Sequence, residues 1–371
     1  MILKSIYLQH FRNYSERKFD FSPDMTVVIG PNTAGKTNLS ESIFTLLTGK
    51  SFRADEDTNM IAFGQEIARV QGLLEGNEEK LKLEVVIASA QATGTRQSKK
   101  HLINGIPKGR NSLQGVLPVV LFRPEELDII IDGPSLRRSF LDAVLEQADK
   151  AYPVAKRTYD RALRQRNALL RIAKETGKRN IEQLIYWDDL LITNGQILTQ
   201  KRQEFLAFIN SSSHDLFSLT TVYDHSMISA DRLEQYKDAE IGAGVTLVGP
   251  HRDDFIVMMV PSTPARNALH SDAGGTLREE KDIKDFGSRG QQRLAILQLK
   301  MLQISFLEKA LQKKPLLILD DIFSELDTGH IQLVLEKVKG SQVILTTTHR
   351  EFIPEELKKG RLIELPSPMT G

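Results

Sequence analysis

The sequence of 371 residues contains no cysteine, carries almost no net charge and has no apolar run near the ~20 residues that span a bilayer. Without cysteine, neither a disulfide nor a thiolate metal site can form. Because 49 Lys and Arg oppose 48 Asp and Glu, nucleic-acid binding would have to rest on a local basic patch. The first eight residues alternate like a strand and carry charge early, which is not typical of a leader peptide. These absences favour a cytoplasmic protein, and the length favours about two domains.

A glycine-rich loop lies between a predicted strand and a predicted helix. Residues 26–29 are apolar like a short buried strand, and apolar residues recur at helical spacing from Leu39 to Leu47. Between them, residues 30–37 read GPNTAGKT and satisfy the phosphate-loop pattern G-x-x-x-x-G-K-[ST]. In such a loop the backbone N–H groups surround the phosphates, the lysine reaches the β- and γ-phosphates, and the last hydroxyl binds Mg²⁺.

We therefore predict that ATP and Mg²⁺ bind at this loop. The alternative, a glycine-rich turn that carries a surface lysine, is the less favoured interpretation because both flanking segments match the motif. The predicted nucleotide-binding residues of the loop are Gly30, Pro31, Asn32, Thr33, Ala34, Gly35, Lys36, Thr37 and Asn38.

A second predicted strand ends in two carboxylates. Residues 316–319 are all apolar and lead directly into Asp320 and Asp321, as in a central parallel strand that delivers acids to the edge of a sheet. We predict that Asp320 holds Mg²⁺ together with Thr37. Asp321 is predicted to orient or deprotonate the attacking water, in a catalytic set with Lys36. A purely supporting role for Asp321, beside the metal or Lys36, remains open.

Another helix start precedes the acidic strand, at residues 286–293, which read FGSRGQQR. The first N–H groups of a helix lack internal partners, so they attract anions, and Ser288 and Gly290 would add a hydroxyl and a close backbone approach. Beyond the acidic strand come residues 324–327, Ser-Glu-Leu-Asp, and then His349, behind an apolar strand. A histidine at that place can donate a hydrogen bond to a γ-phosphate.

The order of these five motifs resembles that of the ABC ATPases. The likeness gives a signature loop at Ser288, Arg289, Gly290 and Gln291, a D-loop at Ser324 and Asp327, and a catalytic switch histidine at His349. In that family the signature loop caps the nucleotide that is held by a partner chain. The resemblance therefore implies ATP enclosed between two copies of this chain.

Lys36 and Asp320 lie 284 residues apart, which leaves room for an inserted domain. From Pro134 onward the pattern is helical, with predicted helices at about 153–173 and 181–209, and the second repeats apolar residues every seven positions from Leu184 to Phe205. We predict an α/β fold: an ABC-type ATPase head with mixed sheets and a P-loop core, formed by residues 1–128 and 226–371, and an α-helical arm at residues 129–225. The arm would be a short antiparallel hairpin.

The first arm helix carries six basic residues against one acid, Asp160. This pattern fits a surface that tracks DNA phosphates, and it fits a solvated helix face equally well. The residues predicted to contact DNA are Arg53, Arg157, Arg161 and Arg164. Arg12 is predicted to contact the nucleotide. For both Arg12 and Arg53, the ligand could be either the nucleotide or DNA.

Several other segments resemble the RecF family of bacterial recombination proteins, nearly from end to end. They are residues 11–14, 49–53, 102–105, 120–127, 133–142 and 247–254. For the last of these, a turn with a local ion-pair network is an equally good interpretation. The resemblance implies a weak, DNA-stimulated ATPase that forms an ATP-dependent homodimer and binds double-stranded DNA near single-strand gap junctions.

The family likeness also implies partners. With RecR and RecO, such a protein promotes the loading of RecA in DNA repair, replication restart and the SOS response, and it is found with the nucleoid and not with a membrane. Two other classes remain as alternatives. One is another SMC-like ATPase head, and the less favoured one is a P-loop kinase of small molecules, for which the signature loop and D-loop would have no use. A scaffold that binds nucleotide without hydrolysing it is a third possibility.

Overall fold

The computed structural model of the protein describes residues 1–76, 79–260, 280–322, 328–348, 350 and 360–367. Two compact units can be distinguished, one formed by Met1–Glu125 with Gln303–Gly371 and the other by Glu126–Leu302. This division differs from the predicted head segments and arm, whose boundaries at 128 and 225 stay a prediction. Among the helices described, none is both long and apolar enough to cross a membrane.

The first unit contains a six-stranded antiparallel sheet. Its strands are β1 (Ile2–Phe11), β2 (Tyr14–Asp20), β4 (Ile67–Glu75), β5 (Lys80–Ala88), β6 (Ser98–Ile103) and β7 (Ile106–Lys108), in the spatial order β2-β1-β4-β5-β6-β7. Buried and exposed residues alternate along β4, which turns Ala68, Val70 and Leu74 to the core. Asn104 and Gly105 join β6 to β7 with positive φ angles of 51° and 79°, as a two-residue hairpin turn favours.

A five-stranded parallel sheet forms the other layer of this unit. Its strands are β3 (Met25–Ile29), β8 (Val119–Phe122), β12 (Leu316–Asp320), β13 (Val343–Thr347) and β14 (Arg361–Glu364), in the spatial order β14-β3-β13-β12-β8. Every residue of β8, β12 and β13 is buried, which explains their continuous apolar sequences. Because all pairs are parallel, the carboxyl ends of β3 and β12 lie along one edge of the sheet.

Helix α1 (Lys36–Thr48) follows β3 and packs into the shared core of both sheets through Leu39, Ile43 and Leu46. The unit also contains α2 (Ala90–Thr93), α11 (Thr328–Lys337) and short 3-10 turns at Asp57–Met60 and Arg110–Ser112, and a further 3-10 turn, Pro124–Leu127, begins in it and ends in the second unit.

The second unit is mainly helical. Its helices are α3 (Asp128–Ile131), α4 (Pro134–Ala148), α5 (Tyr152–Thr176), α6 (Ile181–Ser211), α7 (Ala230–Gln235), α8 (Lys237–Ala243) and α9 (Ile283–Phe286), with a 3-10 turn at Pro250–Arg252. Three antiparallel strands, β9 (Leu219–Asp224), β10 (Asp254–Met259) and β11 (Lys281–Asp282), pair in the order β11-β10-β9. Helix α10 (Arg289–Leu311) begins in this unit, and its last residues belong to the first.

Helices α5 and α6 pack against each other as a hairpin, close to the predicted boundaries. The seven-residue repeat of α6 buries Leu191, Leu198 and Phe205, whereas Leu184 is only half-buried. Gly177 ends α5 with φ of 68°, and its N–H donates to Ala173 O at 2.9 Å.

A buried ion-pair network fixes the base of this hairpin. The guanidinium of Arg202, which is almost completely buried, donates to Asp253 Oδ2 at 2.9 Å, Asp142 Oδ1 at 2.8 Å and Pro250 O at 2.7 Å. Nearby, Arg137 forms a bidentate pair with Asp254, at 2.6 and 2.9 Å. The family-like segment 247–254 therefore supplies buried partners for arginines of α4 and α6.

Candidate functional site

The loop between β3 and α1 has a backbone that only certain residues can adopt. Gly35 has φ of 104°, and a Cβ there would lie 2.7 Å from the Tyr14 hydroxyl and 2.8 Å from Asn13 Nδ2. Glycine is therefore required at this position by both conformation and space. Burial raises the pKa of Tyr14 to about 12, so its hydroxyl stays protonated and donates to Gly35 O at 3.0 Å. The hydrogen bond from Tyr14 therefore supports the backbone of the loop at Gly35. On the loop itself, Pro31, Asn32 and Thr33 are exposed.

Lys36 begins α1 and folds back over the loop. Its ammonium donates to Gly30 O at 2.8 Å and to Pro31 O at 3.0 Å. Burial lowers the pKa of Lys36, and the negative charges of Asp321 and Asp320 oppose that shift. The side chain thus lies between the loop and the acidic end of β12, where a cation can neutralise phosphate charge.

Asp320 is bonded directly to the helix that follows the loop. Its Oδ1 accepts from Ser40 Oγ of α1 at 3.0 Å and from Thr346 Oγ1 of β13 at 2.6 Å, and the residue is 4% exposed. Asp321 comes next with φ of 55°, and its N–H donates to Thr346 O at 3.2 Å. Three segments distant in sequence therefore meet at the carboxyl edge of the parallel sheet.

The oxygens at this edge suit a hard cation. A Thr37 hydroxyl and an Asp320 carboxylate are the kinds of ligand that Mg²⁺ prefers, and Mg²⁺ commonly takes only one or two protein ligands. In the part of the chain that the structure describes, no group of three or more His, Asp and Glu residues could hold a metal ion. The donor set therefore fits Mg²⁺ in its usual role beside phosphates and does not form an all-protein metal cage.

Glu41 is a site residue that the sequence did not indicate. Its carboxylate is completely buried and accepts from Arg12 Nε and Nη2 at 2.8 and 2.7 Å, from Arg53 Nε and Nη2 at 3.0 and 2.8 Å, and from Ser51 Oγ at 2.6 Å. Burial raises the pKa of Glu41, but the hydrogen bonds from Arg12, Arg53 and Ser51 lower it below its usual value overall. In the sequence, the only sign of this role is that an acidic residue stands on the apolar face of α1.

This network lies beside the nucleotide loop. Arg53 Nη2 also donates to Asn38 Oδ1, and Asn38 Nδ2 donates to Asn13 Oδ1 at 2.6 Å. The structure thus brings together Arg12, Arg53 and Asn38, which were predicted separately. Because two guanidinium groups share one carboxylate, the cluster keeps an excess positive charge next to α1.

The signature turn in the second unit is a capping box. Ser288 Oγ accepts from Gln291 N at 3.3 Å, and Gln291 Oε1 accepts from Ser288 N at 2.9 Å. Ser288, Arg289, Gly290 and Gln291 are all exposed. The Ser288 side chain and the first two residues of α10, Arg289 and Gly290, therefore lie at the surface, while the Gln291 N–H is capped by Ser288 Oγ. The D-loop residues Ser324 and Asp327 and the switch residue His349 lie outside the described residues.

The basic residues of α5 separate into two groups. Arg166 is buried between Asp188 of α6 and Glu240 of α8, at 2.5 and 2.7 Å. By contrast, four arginines are exposed at spacings of four, three and seven residues, which places them on one helix face. This surface, which we call the arginine stripe, consists of Arg157, Arg161, Arg164 and Arg171. At 1.5 Å per residue it extends ~21 Å along the helix.

Comparisons with known proteins agree with this architecture. The family model for the RecF/RecN/SMC N terminal domain matches residues 2–363. The DNA replication and repair protein RecF of Moorella thermoacetica is 34% identical over 376 residues, which cover 98% of this chain and 94% of that protein. RecF of Lachnoclostridium phytofermentans is 33% identical over 380 residues, with 98% of each chain covered.

A solved structure is similar over the same length. The recombination mediator protein RecF with ATP, in the RecFOR pathway, superposes with a TM-score of 0.82 and 29% identity, covering 95% of this chain and 93% of that one. The predicted α/β fold of a RecF- and SMC-type ATPase head is thereby confirmed. Because the family model matches residues 2–363 and curated relatives above 30% identity cover 98% of the chain, the chain belongs to the RecF family of RecF/RecN/SMC proteins.

Proposed function

We propose that this protein is an ATP-dependent DNA-binding protein of DNA repair, in which ATP joins two copies of the chain. The observation that carries the proposal is the bond between Ser40 Oγ and Asp320 Oδ1, which ties the helix of the phosphate loop to the acidic strand. The loop, Lys36 and Asp320 thus lie in one unit, which supports the proposal that they form a phosphate and Mg²⁺ site. Relatives that have been solved with ATP support the nucleotide assignment.

Hydrolysis in this site is proposed to be weak. Backbone N–H groups of the loop bind the phosphates, except at Pro31, which has none, and Lys36 neutralises charge that develops on the γ-phosphate. Thr37 and Asp320 would hold Mg²⁺, which would supply further charge neutralisation. Asp321 orients the attacking water, and its short side chain limits its reach. His349 is proposed to contact the γ-phosphate.

Dimer formation is proposed to use the signature turn of the second copy. The exposed Ser288 hydroxyl and the N–H groups of Arg289 and Gly290, at the start of α10, provide donors for a γ-phosphate. In the proposed dimer, ATP bridges the two copies of the chain, and loss of the γ-phosphate separates them. This gives hydrolysis the role of a release step.

DNA is proposed to bind along the arginine stripe. Exposed arginines on one helix face can each neutralise a backbone phosphate, with affinity that falls as salt rises. Duplex DNA near single-strand gaps is the proposed ligand, with stimulation of the ATPase by DNA. Action with RecR and RecO in the loading of RecA rests on family membership.

Salt-dependent binding tests the DNA part of the proposal. Replacing Arg157, Arg161 and Arg164 together by Gln removes up to three phosphate contacts, each contributing ~0.9 to the slope of log K against log salt. The matched control replaces Lys18, Lys80 and Lys237, which removes the same charge elsewhere. We expect the stripe variant to lower the slope by ~2 to 3 and the control to leave it unchanged. Equal slopes for both variants would refute the DNA assignment.

A further inference from the structure

Two neighbouring aromatic residues of α6 lie outside the hydrophobic core. Tyr186 and Trp187 have ring centroids 4.8 Å apart and an interplanar angle of 75°. Tyr186 is 58% exposed, and Trp187 is partly exposed. The fully buried residues of α6 begin only at Leu191, so Tyr186 lies at the surface and Trp187 lies at the edge of the contact with α5. We call this surface the aromatic pair.

The aromatic pair adjoins the arginine stripe. The Arg161 guanidinium lies 6.0 Å from the centroid of the Trp187 ring, within reach of a cation–π contact. Arg161 is also a member of the stripe, so a ligand held by the stripe passes close to the rings. The acidic neighbour Asp188 is engaged by Arg166 and does not place its charge freely against this surface.

The chemistry of this surface selects a nucleic acid with unpaired bases. A base offers a flat π-face to an aromatic side chain, but in a continuous duplex both faces are covered by neighbouring bases. An unpaired nucleotide has a free face, and its phosphate still pairs with arginine. Rings and cations side by side are the combination that binds single strands without sequence preference.

We propose that an unpaired base, which adjoins a duplex held by the arginine stripe, stacks on the exposed ring of Tyr186, with Trp187 beside it. The inference rests on the proposed DNA binding and adds a site for the unpaired strand. It assigns to the middle of the α5–α6 hairpin the ability to distinguish duplex DNA that carries an unpaired extension from blunt duplex.

Trp187 reports on the site directly, because the chain contains one tryptophan. Three DNAs share one duplex: a blunt form, a form with a short thymidine extension, and a form whose extension has the same phosphates but no bases. We expect the thymidine extension to quench Trp187 emission and to bind at least ~5-fold more tightly than the abasic extension. The abasic form controls for charge, since only the bases differ.

Variants of the exposed tyrosine separate stacking from folding. Tyr186→Phe keeps the ring and is expected to retain the preference for thymidine, whereas Tyr186→Ser is expected to lose several-fold of it. Both should bind the blunt duplex as the wild type does, because the arginine stripe is intact. Circular dichroism checks that the exposed substitution leaves the helices unchanged.

The outcomes distinguish the two proposals. Equal affinity for thymidine and abasic extensions, with Trp187 emission unchanged and blunt-duplex binding intact, would overturn the stacking site alone. If the wild type does not bind the blunt duplex but its Trp187 emission is still quenched by the thymidine extension, only the duplex proposal is overturned. If Tyr186→Ser and Trp187→Leu both keep the wild-type preference for the thymidine extension over the abasic one, the stacking site is also overturned. The aromatic pair would then be a candidate contact for a protein partner.

Discussion

Replacing Glu41 by Gln removes a buried negative charge that holds two arginines beside the nucleotide loop. The Glu41 carboxylate is completely buried and accepts five hydrogen bonds, four of them from Arg12 and Arg53. Glutamine has nearly the same shape, but it keeps only one oxygen acceptor and turns an amide group toward a guanidinium. Two cations then share a site that has lost its counter-charge.

The expected cost follows from burial. Removing one partner of a buried ion pair costs ~3–5 kcal/mol when the remaining charge stays buried. The side chains of Arg12 and Arg53 are 21% and 34% exposed, so water recovers part of that cost. We therefore expect Glu41→Gln to lower the free energy of unfolding by about 2–3 kcal/mol.

Urea unfolding of the full chain at neutral pH measures this loss. The matched control is Asp20→Asn, because Asp20 pairs with Lys18 at 3.2 Å where both side chains are well exposed. Exposed pairs contribute ~0–1 kcal/mol, so the control should unfold nearly as the wild type does. If Glu41→Gln loses no more stability than the control, the buried network does not hold the arginines as described.

Two further predictions concern buried groups. Burial lowers the pKa of His101 from its usual 6.5 to about 4, so between those values the unfolded chain binds a proton that the folded chain does not. His101 alone is therefore expected to lower the stability by about 2 kcal/mol from pH ~7.5 to ~5, and His101→Gln should remove that part of the loss in urea titrations. If His101→Gln loses as much stability between these pH values as the wild type does, the lowered pKa of His101 would be contradicted. Replacing the buried Arg202 by Met, which strands Asp142 and Asp253, should cost ~3–5 kcal/mol, whereas exposed Arg171→Met should stay within ~0.5 kcal/mol by thermal unfolding. Equal melting temperatures for Arg202→Met and Arg171→Met would rule out the network at the base of the hairpin.

Local patterns were sufficient to predict the strand, turn and helix around residues 30–37 and the pair of helices α5 and α6. A motif such as residues 30–37 encodes its own backbone, because Gly35 must adopt positive φ and a strand and a helix must flank the loop. The heptad repeat of α6 likewise predicts its own buried face, and the helix was found at Ile181–Ser211. These features depend on residues close together in sequence.

Long-range partners were not predictable in the same way. Arg157 and Arg166 look alike in the sequence, yet one is exposed and the other is buried against Asp188 and Glu240. Glu41 was missed because its partners come from β-turn and loop segments before and after α1. Which charges are paired is decided by tertiary packing, which a single sequence does not display.

The mass of the protein in solution with ATP and Mg²⁺, measured by light scattering, tests the central claim most directly. The wild type is expected to be a dimer with ATP and a monomer without it, and Ser288→Arg is expected to stay monomeric while it binds ATP. Ser229→Arg is the matched control, because Ser229 caps α7 through Arg232 N just as Ser288 caps α10, and it should dimerise. An ATP-dependent dimer of Ser288→Arg, or a wild type that stays monomeric with ATP, would contradict the account.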